Sequence, residues 1–229
     1  MKTLFMEKIK NMGLKIDEYQ LEQFKIYYET LVEWNSKINL TSLTDKADVY
    51  QKHFYDSIWL SKIIQLDEQK ILDVGSGAGF PSIPLKIMFP NLNITIIDSL
   101  NKRITFLRKL TQKLNLDVEL IHGRIEDYKI KETYDIVTAR AVASLAVLSE
   151  FCMPFVKING LFLPMKSGEV ETELNEAKSG IKILGGTIEK TYYYDYDDMK
   201  RSIPVIVKIK KTSNIYPRSY NKIKKAPLK

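Results

Sequence analysis

The chain has 229 residues, 45% of them hydrophobic, with 35 Lys or Arg against 28 Asp or Glu, two His and one Cys. That apolar share can build one large domain or an ordinary core with a helical addition, yet no apolar run approaches the ~20 residues that cross a bilayer. A single cysteine excludes an internal disulfide, two histidines give no metal-ligand spacing, and the charge-broken start MKTLFMEKIKNMG lacks an apolar signal core, so a metal-free cytoplasmic protein is expected.

Residues 1–66 read as a helical region. Asp17 followed by Gln20 has the form of a capping box, and Leu21, Phe24, Tyr28, Leu31 and Ile38 recur at helical spacing, as core positions do. The Asn/Ser/Thr-rich stretch 35–44 breaks the helix, and a second helix is predicted from about Asp45 to Ile64. His53 and Asp56 lie three apart on it; a bare pair of this kind is more often a surface hydrogen bond than a catalytic dyad.

From Gln69 the pattern alternates strand and helix, which predicts a mostly parallel sheet covered on both faces. The first strand, Lys70 to Val74, runs into Gly75, Gly77 and Gly79, where the backbone can turn sharply and lie against a ligand. A dinucleotide fingerprint would put its third glycine where Phe80 stands, and no Gly-Lys-Ser/Thr of a phosphate loop follows. The G-x-G-x-G turn resembles instead the S-adenosylmethionine pocket of doubly wound methyltransferases. Asp98, closing the second strand Asn93 to Asp98, stands ~20 residues on, where a ribose-binding carboxylate belongs. A tight turn with no ligand is the bland alternative.

A helix over Lys102 to Leu114 turns Ile104, Leu107, Leu110 and Leu114 inward and Arg103, Arg108, Lys109 and Lys113 to solvent. The third strand, Val118 to Ile121, precedes GRIED, where Glu126 or Asp127 could reach the amino group of an adenine. The fourth, Tyr134 to Thr138, leads into Ala139, Arg140 and Ala141, and the fifth, Gly160 to Met165, ends at Lys166. Residues 187–194 and 203–209 form a hairpin through the turn DYDDMK. Gly75 to Phe80, Asp98, Ile125 with Glu126, Arg140 and Lys166 all fall at carboxyl ends of strands, where open parallel sheets bind ligands.

From Arg201 to Lys229 there are nine Lys or Arg and no acid, against 26 basic and 28 acidic residues before it. Such a tail suits a polyanion such as RNA; a solvated tail is the alternative.

The motifs NLTSLTDKADVYQKHFYDS, DVGSGAGFPSIPL, NKRITFLRKL, GRIEDY, YDIVTARAVASL, PMKSG and YPRSYNKIKKAPL closely resemble the RsmG (GidB) family of bacterial small-subunit (16S) ribosomal RNA (guanine-N7)-methyltransferases. The resemblance runs from about Leu31 to the C-terminus. It departs at Ser82, where many members have Gly, and after Tyr216-Pro217-Arg218, where a Gly-x-Pro is missing. It implies an α/β fold with a doubly wound, mostly parallel seven-stranded sheet of the class I S-adenosylmethionine-dependent type and an N-terminal helical extension. The implied parts are a helical region 1–66, a methyltransferase core 67–211 and a basic tail 212–229. It implies S-adenosylmethionine as cofactor, with residues 75–80 on its methionine and ribose part, Gly75 and Phe80 foremost. Ile125 and Glu126 would meet the adenine and Arg140 the methyl-donor end. Asp98 on the ribose hydroxyls is inferred from strand position.

His53, Arg103, Arg124, Lys166 and Arg218 match family positions expected to meet RNA, and Arg140 or Lys166 is expected to grip the guanine through O6. The partner implied is small-subunit ribosomal RNA or the subunit itself; a monomer is the default expectation.

Guanine N7 has an exposed lone pair and no proton, so attack on the sulfonium methyl needs no general base, and positioning dominates. Cys152 stands too far beyond the fourth strand to be a pyrimidine-C5 nucleophile and reads as a buried structural thiol. Ala-Arg-Ala-Val stands where exocyclic-amine methyltransferases carry Asp/Asn-Pro-Pro-aromatic. A non-catalytic rRNA-binding assembly factor and a methyltransferase for another substrate class are the competing readings.

Overall fold

A computed structural model describes residues 2–140, 143–196 and 199–228. Local chemistry sets the N-terminal elements. Helix α1 (Lys2–Asn11) is followed by α2 (Glu18–Ile38), which starts at the expected capping box. The Asp17 carboxylate accepts the Gln20 amide at 2.7 Å, and the Gln20 side chain accepts the Asp17 amide at 3.0 Å. Asn39, left-handed at φ 47°, ends the helix. The expected second helix is present with an irregular middle: α3 (Lys46–Val49), a π-helical stretch Tyr50–Tyr55, α4 (Asp56–Ile58) and a 3-10 turn Trp59–Lys62 follow without a break. Two inward positions differ from the expectation: Ile38, at the end of α2, is only half-buried, and so is Tyr28. Tyr27, not Tyr28, is the buried tyrosine of α2, and its hydroxyl donates to the Ala78 carbonyl at 2.6 Å.

Seven strands form one sheet in the order β3-β2-β1-β4-β5-β7-β6. They are β1 (Lys70–Val74), β2 (Asn93–Asp98), β3 (Glu119–His122), β4 (Tyr134–Arg140), β5 (Val156–Ser167), β6 (Gly186–Tyr196) and β7 (Met199–Lys208). The pairs β1/β4, β4/β5 and β2/β3 are parallel, and β7 is antiparallel to both β5 and β6. Of the hairpin turn DYDDMK, Asp197 and Asp198 lie outside the described residues, as do Ala141 and Val142 after β4. The remaining helices are α5 (Ser82–Met88), α6 (Asn101–Leu114), α7 (Leu145–Cys152), α8 (Glu171–Ile183) and α9 (Tyr220–Lys225). None of the described helices is long and apolar enough to cross a membrane.

The described chain forms two compact units. One holds the residues up to Glu68 together with Ser76–His122. Its core is aromatic: Phe5, Phe24, Tyr27, Tyr50, Phe54 and Phe80 meet ring to ring at centroid distances of 4.9–6.1 Å. Helix α6 buries Ile104, Phe106, Leu107, Leu110 and Leu114 as its periodicity requires.

The other unit comprises Gln69–Gly75 and the chain from Gly123. It carries β1 and β4–β7, with α7, α8 and α9 packed beside them. Strand β5 is longer than expected, so Lys166 lies within it, and Arg140 is the last residue of β4, opposite Met165. The basic C-terminal segment is built into this unit. Ile223 of α9 is buried, and Arg218 forms a two-pronged pair with Glu150 of α7 at 2.7 and 2.6 Å.

Candidate active site

The glycine turn takes its shape from its own backbone. Gly75, Gly77 and Gly79 all have positive φ, and the Gly79 and Phe80 amides both donate to the Ser76 carbonyl, at 3.0 and 3.1 Å. The glycines serve different ends. A side chain added at Gly77 would meet nothing within 4 Å, so this face of the turn is open. At Gly79 an added Cβ would lie 2.7 Å from Ile83 and 2.9 Å from the Tyr27 hydroxyl. Gly79, expected on the cofactor side, is thus required by packing. The Phe80 ring is buried, stacking on Tyr27 at 5.4 Å and on His53 at 4.5 Å, so the part of Phe80 available to a ligand is its backbone.

Asp98 is 2% exposed and organises the turn. Its Oδ2 accepts the Gly77 amide at 3.3 Å and Arg103 at 3.3 Å, and its Oδ1 accepts the Leu100 amide at 2.9 Å. Arg103, expected to face solvent and RNA, folds back onto this carboxylate. His53 stands in the π-helical stretch, a distortion frequent at functional sites. Its ring is half-buried and Nε2 lies 2.9 Å from the Thr41 hydroxyl. Asp56 is buried, so the expected surface pair does not describe it.

In the other unit the sheet order reverses at β1 and β4, the position where open α/β sheets bind ligands. Gly75 follows β1 and Arg140 ends β4, each two residues past the registered pair Asp73↔Thr138. Arg140 is half-buried. Ile125, Glu126 and Asp127 form a 3-10 turn after β3, with Ile125 buried and the Glu126 side chain 10% exposed. Arg124 lies 3.8 Å from Glu126 and over the Tyr220 ring, 4.8 Å from its centroid.

Two further cations are already engaged. The Lys166 ammonium pairs with Glu173 at 2.8 Å and donates to the Ala143 carbonyl at 2.9 Å, and Glu173 also accepts the Leu145 amide at 2.6 Å. Two of the three donors of Lys166 are thus in use, and they fix the entry to α7 that follows β4. The charge of Arg218 is matched by buried Glu150, which holds its guanidinium more firmly protonated than usual, so its first role is to anchor the tail. Cys152 is fully buried at the end of α7, and burial, helped by the Asp73 carboxylate, pushes its thiol well up from the ordinary range. The reading of a structural thiol fits this environment.

Sequence reasoning missed Tyr27, Glu150, Glu173 and Tyr220, and reached Ser76 only within the span 75–80. Only Glu150 left a signal, as the one charge in the apolar run ASLAVLSEFCM. Buried charges are normally paired, and an acid-free tail supplies the partner.

A family model for rRNA small subunit methyltransferase G matches residues 20–196. The chain belongs to the rRNA small subunit methyltransferase G family. Among relatives, the ribosomal RNA small subunit methyltransferase G of Bacillus subtilis is 49% identical over 232 residues, covering 98% of this chain and 97% of the relative. That of Lactococcus lactis subsp. cremoris is 50% identical and covers 98% of both chains. Solved structures share the fold at low identity. A methyltransferase from Pyrococcus furiosus covers 81% of this chain and 98% of its own length, with a TM-score of 0.58 and 15% identity. An SAM-dependent methyltransferase from Aquifex aeolicus covers 74% of this chain and 97% of its own, with a TM-score of 0.56 and 16% identity.

Membership in the methyltransferase G family makes the chain a methyltransferase, with S-adenosylmethionine as donor. The residues present fit that group. Gly77 leaves open space beside a positive-φ backbone. The Ser76 hydroxyl, in a residue 4% exposed, has no hydrogen-bond partner among the described residues, as expected beside a ligand rich in donors and acceptors. Among the described residues no three His, Cys, Asp or Glu side chains are grouped to hold a metal ion.

Proposed function

We propose that this protein methylates N7 of a guanine in small-subunit (16S) ribosomal RNA, by direct attack without a covalent enzyme intermediate. The observation that carries the reading is identity of about half the residues along nearly the whole chain to small-subunit methyltransferases of this name. The choice of N7 follows from the family resemblance in the sequence motifs. Its place of action is the cytoplasm, and its partner is the RNA, alone or within the subunit. In this reading residues 1–66 form a helical layer, 67–211 carry the transfer, and the basic segment 212–229 faces RNA.

Bound, the cofactor supplies a methyl group on a positively charged sulfur. The chain's task is to hold the two reactants in line and keep water away. The backbone at Gly75 and Gly77 lets the methionine and ribose part approach closely, and the Asp98 carboxylate accepts from the ribose hydroxyls. Ile125 covers the adenine and Glu126 accepts from its amino group. Arg140, at the switch point, orients the guanine by donating to O6 and so leaves N7 free. A carboxylate base is unnecessary because N7 carries no proton. Exposed cations of α6 and α9 suit the phosphate backbone.

The test is methyl transfer from labelled S-adenosylmethionine to small-subunit rRNA lacking native N7 methylation, offered naked and in subunits, with the product base identified. Label recovered as 7-methylguanine at one site is the expected result. Label on another base overturns the N7 assignment, and no transfer despite binding of both partners favours an assembly factor.

A further inference from the structure

Arg124 stands between the proposed adenine segment and the C-terminal segment. Its guanidinium pairs with Glu126 on one side and lies over the Tyr220 ring on the other. Arg124 is 53% exposed, so without the ring this long side chain would sample many rotamers. Tyr220, 39% exposed, has one face toward Phe151 of α7, with centroids 6.1 Å apart and planes inclined by 16°. On either side of it the chain is clamped, by Arg218 on buried Glu150 and on the Ala226 carbonyl, and by Ile223. Lys131 adds a bond to the Tyr216 carbonyl at 2.5 Å, and Leu228 closes onto Gly180, where an added Cβ would stand 2.6 Å from its carbonyl oxygen.

We infer that Tyr220 is a positioning residue for the cofactor: through Arg124 it holds the Glu126 carboxylate in the orientation that receives the adenine amino group. The inference rests on the proposed role of Glu126. It gives the C-terminal segment a second task beside its charge, since α9 carries both Tyr220 and the cations Lys222, Lys224 and Lys225. Removing the tail then weakens cofactor binding as well as RNA binding.

The experiment measures S-adenosylmethionine affinity by calorimetry, with transfer kinetics and melting temperature, for the full chain carrying Tyr220→Leu, Tyr220→Phe, Arg124→Gln, Glu126→Gln and the pair Tyr220→Leu/Glu126→Gln. Tyr220→Leu is expected to raise the cofactor Kd and KM by about five- to twentyfold with kcat within about twofold, and Tyr220→Phe, which keeps the ring face, to restore wild-type affinity. With Glu126 already changed, Tyr220→Leu should add no further loss. Arg124→Gln, on an exposed side chain, reports on the same link if Tyr220→Leu fails to fold. Normal affinity in Tyr220→Leu or Arg124→Gln beside a weakened Glu126→Gln overturns the inference and leaves the site reading standing, as does additive loss in the double variant. Unchanged affinity in Glu126→Gln removes the site reading itself.

Discussion

Arg103 brings its Nη1 to 3.3 Å from the same Asp98 oxygen that accepts the Gly77 amide. One carboxylate therefore shapes the glycine turn and neutralises the second cation of α6. Replacing Asp98 by Ala should cost about 1.5–3 kcal/mol of cofactor binding, because a charged acceptor is lost and the turn loses an anchor. Arg103→Ala should change cofactor affinity by no more than about threefold, since ribose hydroxyls can take its place on the carboxylate. Calorimetry on both variants decides; equal losses would show that the ion pair, not the carboxylate, is the binding element.

Helix α6 carries five cations and no acid. Two are engaged, Arg103 with Asp98 and Lys113 with Glu33, while Lys102, Arg108 and Lys109 are exposed. Changing these three to Ala should lower the slope of log RNA affinity against log salt by about 2, at roughly 0.7–0.9 for each phosphate no longer neutralised. Melting temperature and cofactor affinity should stay as they are. An unaltered slope would leave this face with no part in RNA binding.

Lys208 is fully buried, with its ammonium on the Met153 carbonyl at 2.7 Å, near the Thr212 hydroxyl and 3.6 Å from Glu132. Burial lowers its pKa to about 8 despite the raising effect of Glu132. Between about pH 8 and the ordinary lysine value the unfolded chain binds more protons at this site than the folded one, so its contribution to stability rises with pH. Below pH 8 the full cost of burying the charge applies. Against Lys208→Met, the native protein should therefore gain in relative stability from about pH 8 to 10, read as the difference in urea midpoints. A difference that stays constant with pH would refute the shifted titration.

What the sequence shows of this fold is what periodicity encodes. Strands β1 and β2 occupy the expected residues because buried parallel strands read as apolar runs closed by turn signals. Capping at Asp17 was equally legible, since a box is a local code. The irregular stretch at His53 was not: a π turn takes about one residue more than an α turn, and six residues are too few for that change of period to stand out in an apolar pattern. Nor was the engagement of Arg103, Lys166 and Arg218 visible, because a cation's partner is chosen by tertiary contact. Asp98, Glu173 and Glu150 lie 5, 7 and 68 positions from them. Charge counts located a basic tail; only packing shows that it is clamped to α7.

The glycine turn separates stability from binding within two residues. Gly79 has φ +99° and a surrounding wall of Ile83, Tyr27 and Leu107, so Gly79→Ala must displace a core tyrosine hydroxyl as well as strain the backbone, for a loss of about 3 kcal/mol or more of stability. Gly77 has φ +63° and empty space beside it, so Gly77→Ala should cost only about 1–2 kcal/mol in stability. Its methyl group would instead occupy the open side where a cofactor approaches, and affinity should fall more than tenfold, about 1.4 kcal/mol or more. Melting curves and calorimetry on the two variants separate these effects. If Gly77→Ala binds the cofactor as the native chain does, the open face of the turn is not where the ligand lies, and the contact must come from the Gly75 end.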